Sequence, residues 1–162
     1  MIKTVKTSGL MDRVPNLLSL AVAWTRSMEN LSMKQGKPLA EWQIADARDV
    51  GVRRPQNVRL VLVDSMPVPV DPVLAVAAVE SGLLSSNTQG LTLGYAVYIL
   101  RSRIGERRLL RHELRHVAQY EQHGGIEPFL SDYLTQVLTI GYWDAPLEQD
   151  ARSFERRPVS AI

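Results

Sequence analysis

The sequence predicts an α+β domain, mainly helical, with a small sheet and one helix that carries the chemistry. Three observations lead there. Apolar residues recur at three-and-four spacing over 128–140. Two β-rich runs, 58–63 and 91–100, are set between helical segments. All three histidines fall between 112 and 123, where Leu109, Leu110, Val117 and Ala118 are the neighbours of a helix. At 162 residues the chain fits one domain with a real core. Residues 1–50 form its helical N-terminal part and 58–155 its core.

Composition narrows the class. Hydrophobic residues at 45% and charged residues at 22% argue against disorder. The absence of cysteine excludes disulfides and a thiolate metal cluster. A net charge of +2, with no basic patch interleaved with aromatics, gives no reason to expect nucleic acid as a partner. Arginine supplies fifteen of the nineteen basic residues, which favours structured ion pairs.

In chain order, residues 1–13 read as a polar, basic lead-in. Asn16 is placed to cap a helix running to about Leu31, which Lys34 to Pro38 ends. Its apolar run, Leu17 to Trp24, follows Lys3, Lys6 and Arg13 much as a signal peptide would. The run is shorter than the roughly 20 residues a bilayer requires, and no small-x-small cleavage site follows. An amphipathic helix docked on the core is expected, without a membrane span. The expected location is the cytoplasm, with secretion or the periplasm left open, as is a latency role for residues 1–50. A short helix from about Leu39 to Val50 stops at Gly51, with Trp42, Ile44 and Ala45 read as core.

The period then changes to that of a strand over 58–63, followed by an extended stretch over 66–70. Asp71 and Pro72 open a helix through about Glu80 that closes at Gly82. After a turn over 85–90, residues 91–100 read as a second strand bent at Gly94. The histidine-bearing helix covers 110–122, and the glycine pair Gly124-Gly125 breaks it. In the next helix, 128–140, Phe129, Leu130, Tyr133, Leu134 and Val137 form a core stripe. Residues 141–144 turn the chain into a last helix over 145–155, with Pro146 at its first position and acids in the opening turn. The tail from Arg156 is expected to fray.

His112, Glu113 and His116 form an H-E-x-x-H run. On a helix the two imidazoles lie one turn apart on one face, which places two nitrogens on a single Zn2+ ion. Glu113 is rotated by about 100° and flanks the metal, where it can take a proton from water. A catalytic zinc site needs a third protein ligand and an open fourth position. The metzincin continuation fails, because Gln119 and Gln122 stand where its glycine and third histidine would be. His123 lies about 10 Å along a continuous helix from His116, and only a chain return at the glycine pair would bring it back. A carboxylate from the last helix is the better candidate. Glu148 and Asp150 lead, with Glu155 further back.

This layout resembles the gluzincins, zinc peptidases whose two H-E-x-x-H histidines are joined by a glutamate from a later helix. It is most similar to the short single-domain members: minigluzincins and the catalytic cores of HtpX-type and CAAX-prenyl endopeptidases. Their glutamate often opens an E-x-E-A-D run, which Glu148-Gln-Asp150-Ala-Arg152 matches loosely. The resemblance covers roughly Arg59 to Glu155 and assigns the third ligand to Glu148. Arg152 stands where the family frequently has an acid that orients a ligand. The resemblance implies a zincin-like fold, zinc on His112, His116 and Glu148, Glu113 as general base, and hydrolysis of a peptide or protein substrate. It also implies a strand that pairs with extended substrate, for which 91–99 is the candidate edge.

His123, Tyr133 and Tyr142 are candidate donors to the oxyanion. Arg101, Arg103, Arg107, Arg108, Arg111 and Arg115 crowd the approach to the zinc helix. Such a run is ordinarily a solvated face, and its sharper reading is attraction of acidic substrate. The rival function is a zinc-bearing accessory or interaction protein with little or no peptidase activity, since a minimal sheet leaves little room for specificity pockets.

Overall fold

The computed structural model describes residues 12–157. The expected lead-in and frayed tail lie mostly outside that range. Among the described residues, six α-helices surround a four-stranded sheet: a mixed α+β architecture, mostly helical. None of these helices is long and apolar enough to cross a membrane.

The helices are α1 (Val14–Gln35), α2 (Glu41–Asp49), α3 (Pro72–Glu80), α4 (Arg107–Gln122), α5 (Ile126–Thr139) and α6 (Pro146–Ser153). The strands are β1 (Lys37–Pro38), β2 (Arg59–Val63), β3 (Gly90–Leu93) and β4 (Ala96–Leu100). The sheet order is β1-β2-β4-β3. β2 and β4 run parallel, with α3 in the connection between them, while β3 and β4 form an antiparallel hairpin.

Two sequence expectations are corrected here. Residues 91–100 are not one bent strand, because Gly94, at φ +66°, reverses the chain into a tight hairpin. The Glu29 carboxylate accepts the Tyr95 N–H at 2.8 Å and occupies the space a side chain at 94 would need. The candidate edge over 91–99 is therefore split. β3 is the outer strand, whereas β4, including Val97, is paired on both sides. The second correction concerns α1, which begins at Val14 rather than at an Asn16 cap. Proline in its first turn needs no N–H partner and pre-sets the helical φ. By contrast, α3 starts as expected, with Asp71 Oδ1 accepting from the N–H groups of Val73 and Leu74.

β4 is buried on both faces, so its residues read as one apolar run. Val97 and Ile99 meet Leu110, Leu114 and Val117 of α4 and Ala47 of α2. Ala96 and Tyr98 face the other way, toward Leu91, Leu93 and Trp24 of α1. A third cluster joins Leu17 and Ala21 of α1 to Phe129, Leu130, Tyr133 and Val137 of α5, so the expected stripe of α5 is the one that packs. The helices of residues 1–50 thus share the core of 58–155.

α2 departs from its predicted orientation. Trp42 and Ala45 are exposed, and the buried face carries Gln43, Asp46 and Ala47. Asp46 is turned inward because α4 presents arginines to it. Arg107 pairs with both Asp46 oxygens at 2.7 and 2.8 Å and lies over the Trp42 ring. Arg111 donates to Asp46, Asp49 and the Phe154 carbonyl at 2.7–3.0 Å. Arg115 bonds Asp150 and the Val50 carbonyl and lies over the Phe154 ring. Spaced four apart, these three form one stripe of α4. The arginine run is therefore neither a solvated face nor a substrate lure over that stripe: it clamps α2 and α6.

Burial alone would push the Asp46 pKa up, but the hydrogen bond and charge of Arg107, with Arg111, pull it below the usual aspartate value. Because the native value is lowered, this stabilisation is full above the ordinary aspartate pKa of about 4 and drains as pH falls through the native one. Arg111 and Asp46 are each only 1% exposed at the side chain. Replacing Arg111 with Ala leaves that carboxylate buried and half-paired, an expected loss of about 3–5 kcal/mol in urea unfolding at neutral pH. The deficit should shrink as the pH is lowered below 4 or so, where Asp46 protonates in both proteins.

Candidate metal centre

α4 presents His112 and His116 one turn apart, and α6 returns to set Glu148 against them. His112 Nε2 lies 3.2 Å from His116 Nε2 and 3.1 Å from Glu148 Oε2. His116 Nε2 lies 3.1 Å from Glu148 Oε1. Glu148 is 2% exposed. Among the described residues, these three form the group of side chains arranged to hold a metal ion.

The outer hydrogen bonds decide which ring nitrogens face inward. His116 Nδ1 is 2.8 Å from Gln119 Oε1. Gln119 spends its amide hydrogens on the Leu147 carbonyl at 2.9 Å and on Asp150 Oδ2 at 2.7 Å, so its oxygen must accept. His116 is therefore protonated at Nδ1, and its Nε2 faces Glu148 and His112. His112 Nδ1 likewise faces Glu155 Oε1 at 3.1 Å, and its Nε2 faces Glu148 Oε2.

Two imidazole Nε2 atoms and the Glu148 carboxylate converge here, an arrangement that a cation would satisfy and that hydrogen bonds from the histidines to Glu148 satisfy otherwise. Ligand atoms at 2.0–2.1 Å from a tetrahedral ion are separated by about 3.3 Å; the two Nε2 atoms lie 3.2 Å apart, and each is 3.1 Å from a different Glu148 oxygen. In the metal-free protein the pair answers electrostatically. Burial disfavours the His116 cation, but Glu148 outweighs it and lifts the His116 pKa to about 9. Burial raises the Glu148 pKa, yet the His116 charge and hydrogen bonds from both histidines bring it well below the usual carboxylate range.

Glu113 points elsewhere, toward β3. Its Oε2 accepts from the Thr92 hydroxyl at 2.6 Å, and the residue is 5% exposed. Its other oxygen lies against Gly90, where an added Cβ would come within 2.7 Å of it. Glu113 and His116 line the same pocket, together with Glu148, Tyr133 and Tyr142.

The other sequence candidates separate cleanly. Asp150 is not at the centre: it pairs with Arg115 and holds Gln119. Glu155, read as a more distant ligand candidate, bonds the far nitrogen of His112. It supplies from position 155 the orienting acid that the resemblance places at 152, while Arg152 lies over the Trp143 ring. His123 bonds the Gln119 carbonyl and Asp132, and its ring packs edge-on against Phe129. The Tyr133 hydroxyl donates to Glu148 Oε1 at 2.7 Å. Burial and the Glu148 charge raise the Tyr142 pKa, so its phenol remains a donor.

Sequence reasoning missed Gln119, Thr92 and Gly90. Gln119, three residues past His116 and so on its face, carried a signal. The other two carried none, because β3 meets Glu113 only in the fold.

Compared with known proteins, the chain matches no family model, no curated protein and no solved structure.

Gln119→Leu should weaken divalent-metal affinity by about 10–100-fold, as measured by chelator competition, because His116 loses its Nδ1 acceptor and α6 loses two of the bonds that hold Glu148 in register. Unchanged affinity would mean that Gln119 is needed neither to orient that ring nor to hold α6 against it.

Proposed function

We propose that this chain is a zinc-dependent metallopeptidase of gluzincin type, with a zincin-like arrangement of sheet and active-site helix. The observation that carries the reading is the convergence of His112 Nε2 and His116 Nε2, 3.2 Å apart, on the two oxygens of Glu148 at 3.1 Å each, with Glu113 buried beside them. His112, His116 and Glu148 would hold the ion. When bound, zinc supplies a Lewis acid that polarises a carbonyl and lowers the pKa of water.

The chain's own groups supply the rest. Glu113 takes the proton from the attacking water and returns it to the leaving amine as the C–N bond breaks. Thr92 holds one Glu113 oxygen, and Gly90 leaves room for the other. Of the three candidate oxyanion donors, His123 is engaged elsewhere, whereas Tyr133 and Tyr142 both line the pocket beside Glu148 and are the phenols within the site. β3, outermost in the sheet beside α4, offers its backbone to an extended substrate.

Glu113→Gln keeps the shape of the side chain and removes the base. Expected are full zinc content by elemental analysis and loss of peptide cleavage by about 10²–10⁴-fold. Wild-type turnover in that variant would overturn the assignment. If zinc-loaded wild-type protein cleaves no member of a broad peptide library, the peptidase reading fails and an accessory zinc protein replaces it. Gly90→Ala tests positioning separately: its methyl group must displace the Glu113 carboxylate, so kcat should fall with little change in metal content.

A further inference from the structure

A second cavity opens at the far end of β3, where the hairpin turns at Gly94. Its volume is about 460 Å³, ample for a polar side chain and its water. Glu29, Arg53, Arg54 and Glu121 line it, and Tyr120 lines both this cavity and the pocket that holds Glu113. Two rulers give its distance from the proposed base. Along β3, Gly90 lies against the Glu113 carboxylate and Gly94 is four residues on, about 13 Å at the rise of a strand. Along α4, Glu121 is eight residues past Glu113, about 12 Å at the rise of a helix. An extended peptide paired with β3 therefore brings a residue three or four places from the cut bond to this cavity.

The charged groups of the lining differ in what they have left to bind. Both carboxylates are engaged by the wall. Glu121 Oε1 accepts the Arg53 N–H at 2.7 Å, and its Oε2 accepts the Arg54 N–H and the Tyr95 hydroxyl at 3.0 Å each. Glu29 accepts the Tyr95 N–H at 2.8 Å and lies against Gly94. The guanidinium groups are the reverse. Arg53 donates to the Glu121 carbonyl at 3.1 Å, and the Arg54 side chain has no acceptor among the described residues. Both arginines are exposed. Gly124 and Gly125 keep the cavity open, since a Cβ at either would meet no atom within 4 Å. A planar fork of unengaged N–H groups matches the two oxygens of a carboxylate.

We infer that Arg53 and Arg54 bind an acidic side chain of the substrate, three or four residues from the cut bond. The inference rests on the peptidase reading, with β3 as the strand that receives the peptide, and adds the substrate class to it. Both arginines precede residues 59–155, over which the gluzincin resemblance runs, so the preference belongs to this chain. Arg54 is the position to change. Glu121 is held there by backbone N–H groups, which a substitution at 54 leaves in place.

The test uses the full chain loaded with zinc and peptides with blocked termini. One residue X, as Glu, Gln or Lys, is moved through four positions on each side of the cleaved bond. At the third or fourth position on one side, kcat/KM should favour Glu over Gln by about fivefold or more, and Lys should be worst. Arg54→Glu should invert that order, and Arg54→Gln, the milder change, should flatten it. High salt should erode the preference for Glu. Calorimetric binding of the same peptides to zinc-loaded Glu113→Gln protein gives a readout independent of turnover and should show the same ranking.

Cleavage with no preference for Glu at these positions overturns the cavity assignment and leaves the peptidase reading standing. A preference that survives both substitutions at Arg54 does the same. Glu-dependent binding without any cleavage by the wild type overturns the peptidase reading and leaves the cavity an acid-binding site. Neither cleavage nor Glu-dependent binding overturns both. Inorganic phosphate that binds more tightly than any peptide, with no ranking among the peptides, overturns the assignment in favour of a free-anion site.

Discussion

The docking of α6 on α4 is the contact on which the site depends. Glu148 reaches the two histidines only because a short helix, far along the chain, is held in one register against the helix that bears them. Eight residues of helix do not hold themselves in place. The register is set by charge-assisted hydrogen bonds from Arg115 and Gln119 to Asp150 and from Arg111 to the Phe154 carbonyl, and by a neutral one from Gln119 to the Leu147 carbonyl. Each bond is directional, so together they fix rotation as well as contact. Apolar packing alone would tolerate a slide of an ångström or two, and a three-point metal site would not.

One helix therefore does three jobs through its three faces. Leu110, Leu114 and Val117 of α4 bind it to the sheet. Arg107, Arg111 and Arg115 bind α2 and α6. His112 and His116 face the centre, with Glu113 alongside toward β3. So many polar groups can be buried along one helix because each is paired. Among the described residues, no buried side-chain nitrogen or oxygen lacks a hydrogen-bond partner. Paired in this way, the groups avoid the penalty of desolvated charge and make alternative packings costly.

Several features were legible beforehand because their causes are local. The Asp71-Pro72 start of α3 is set by a side chain three residues from the N–H that donates to it. The stripe of α5 is set by helical period, and the H-E-x-x-H geometry by a single turn of α4. Expectation failed where a residue answers to something distant in sequence. Trp42 and Ala45 look like core on apolarity alone, but α2 is turned so that Asp46 meets arginines sixty-one and sixty-five residues away. The run at 91–100 has the composition of one strand, and its reversal depends on Gly94 and on the carboxylate of Glu29 in α1.

The same division holds at the centre. By itself the sequence determined that two imidazoles lie one turn apart with a glutamate beside them, because their relation is a property of one helix. It also narrowed the carboxylate that could join them to the acids of the last helix, by composition and helix-start signals. Tertiary structure set Glu148, the acid the resemblance had implied, against the imidazoles while Asp150 pairs with Arg115, and it put Glu155 on the far nitrogen of His112. It alone set Thr92 and Gly90 around Glu113 and opened a cavity at the far end of β3. Those choices depend on how separate elements rotate against each other, and that rotation is decided by the sum of all their contacts rather than by any stretch read alone.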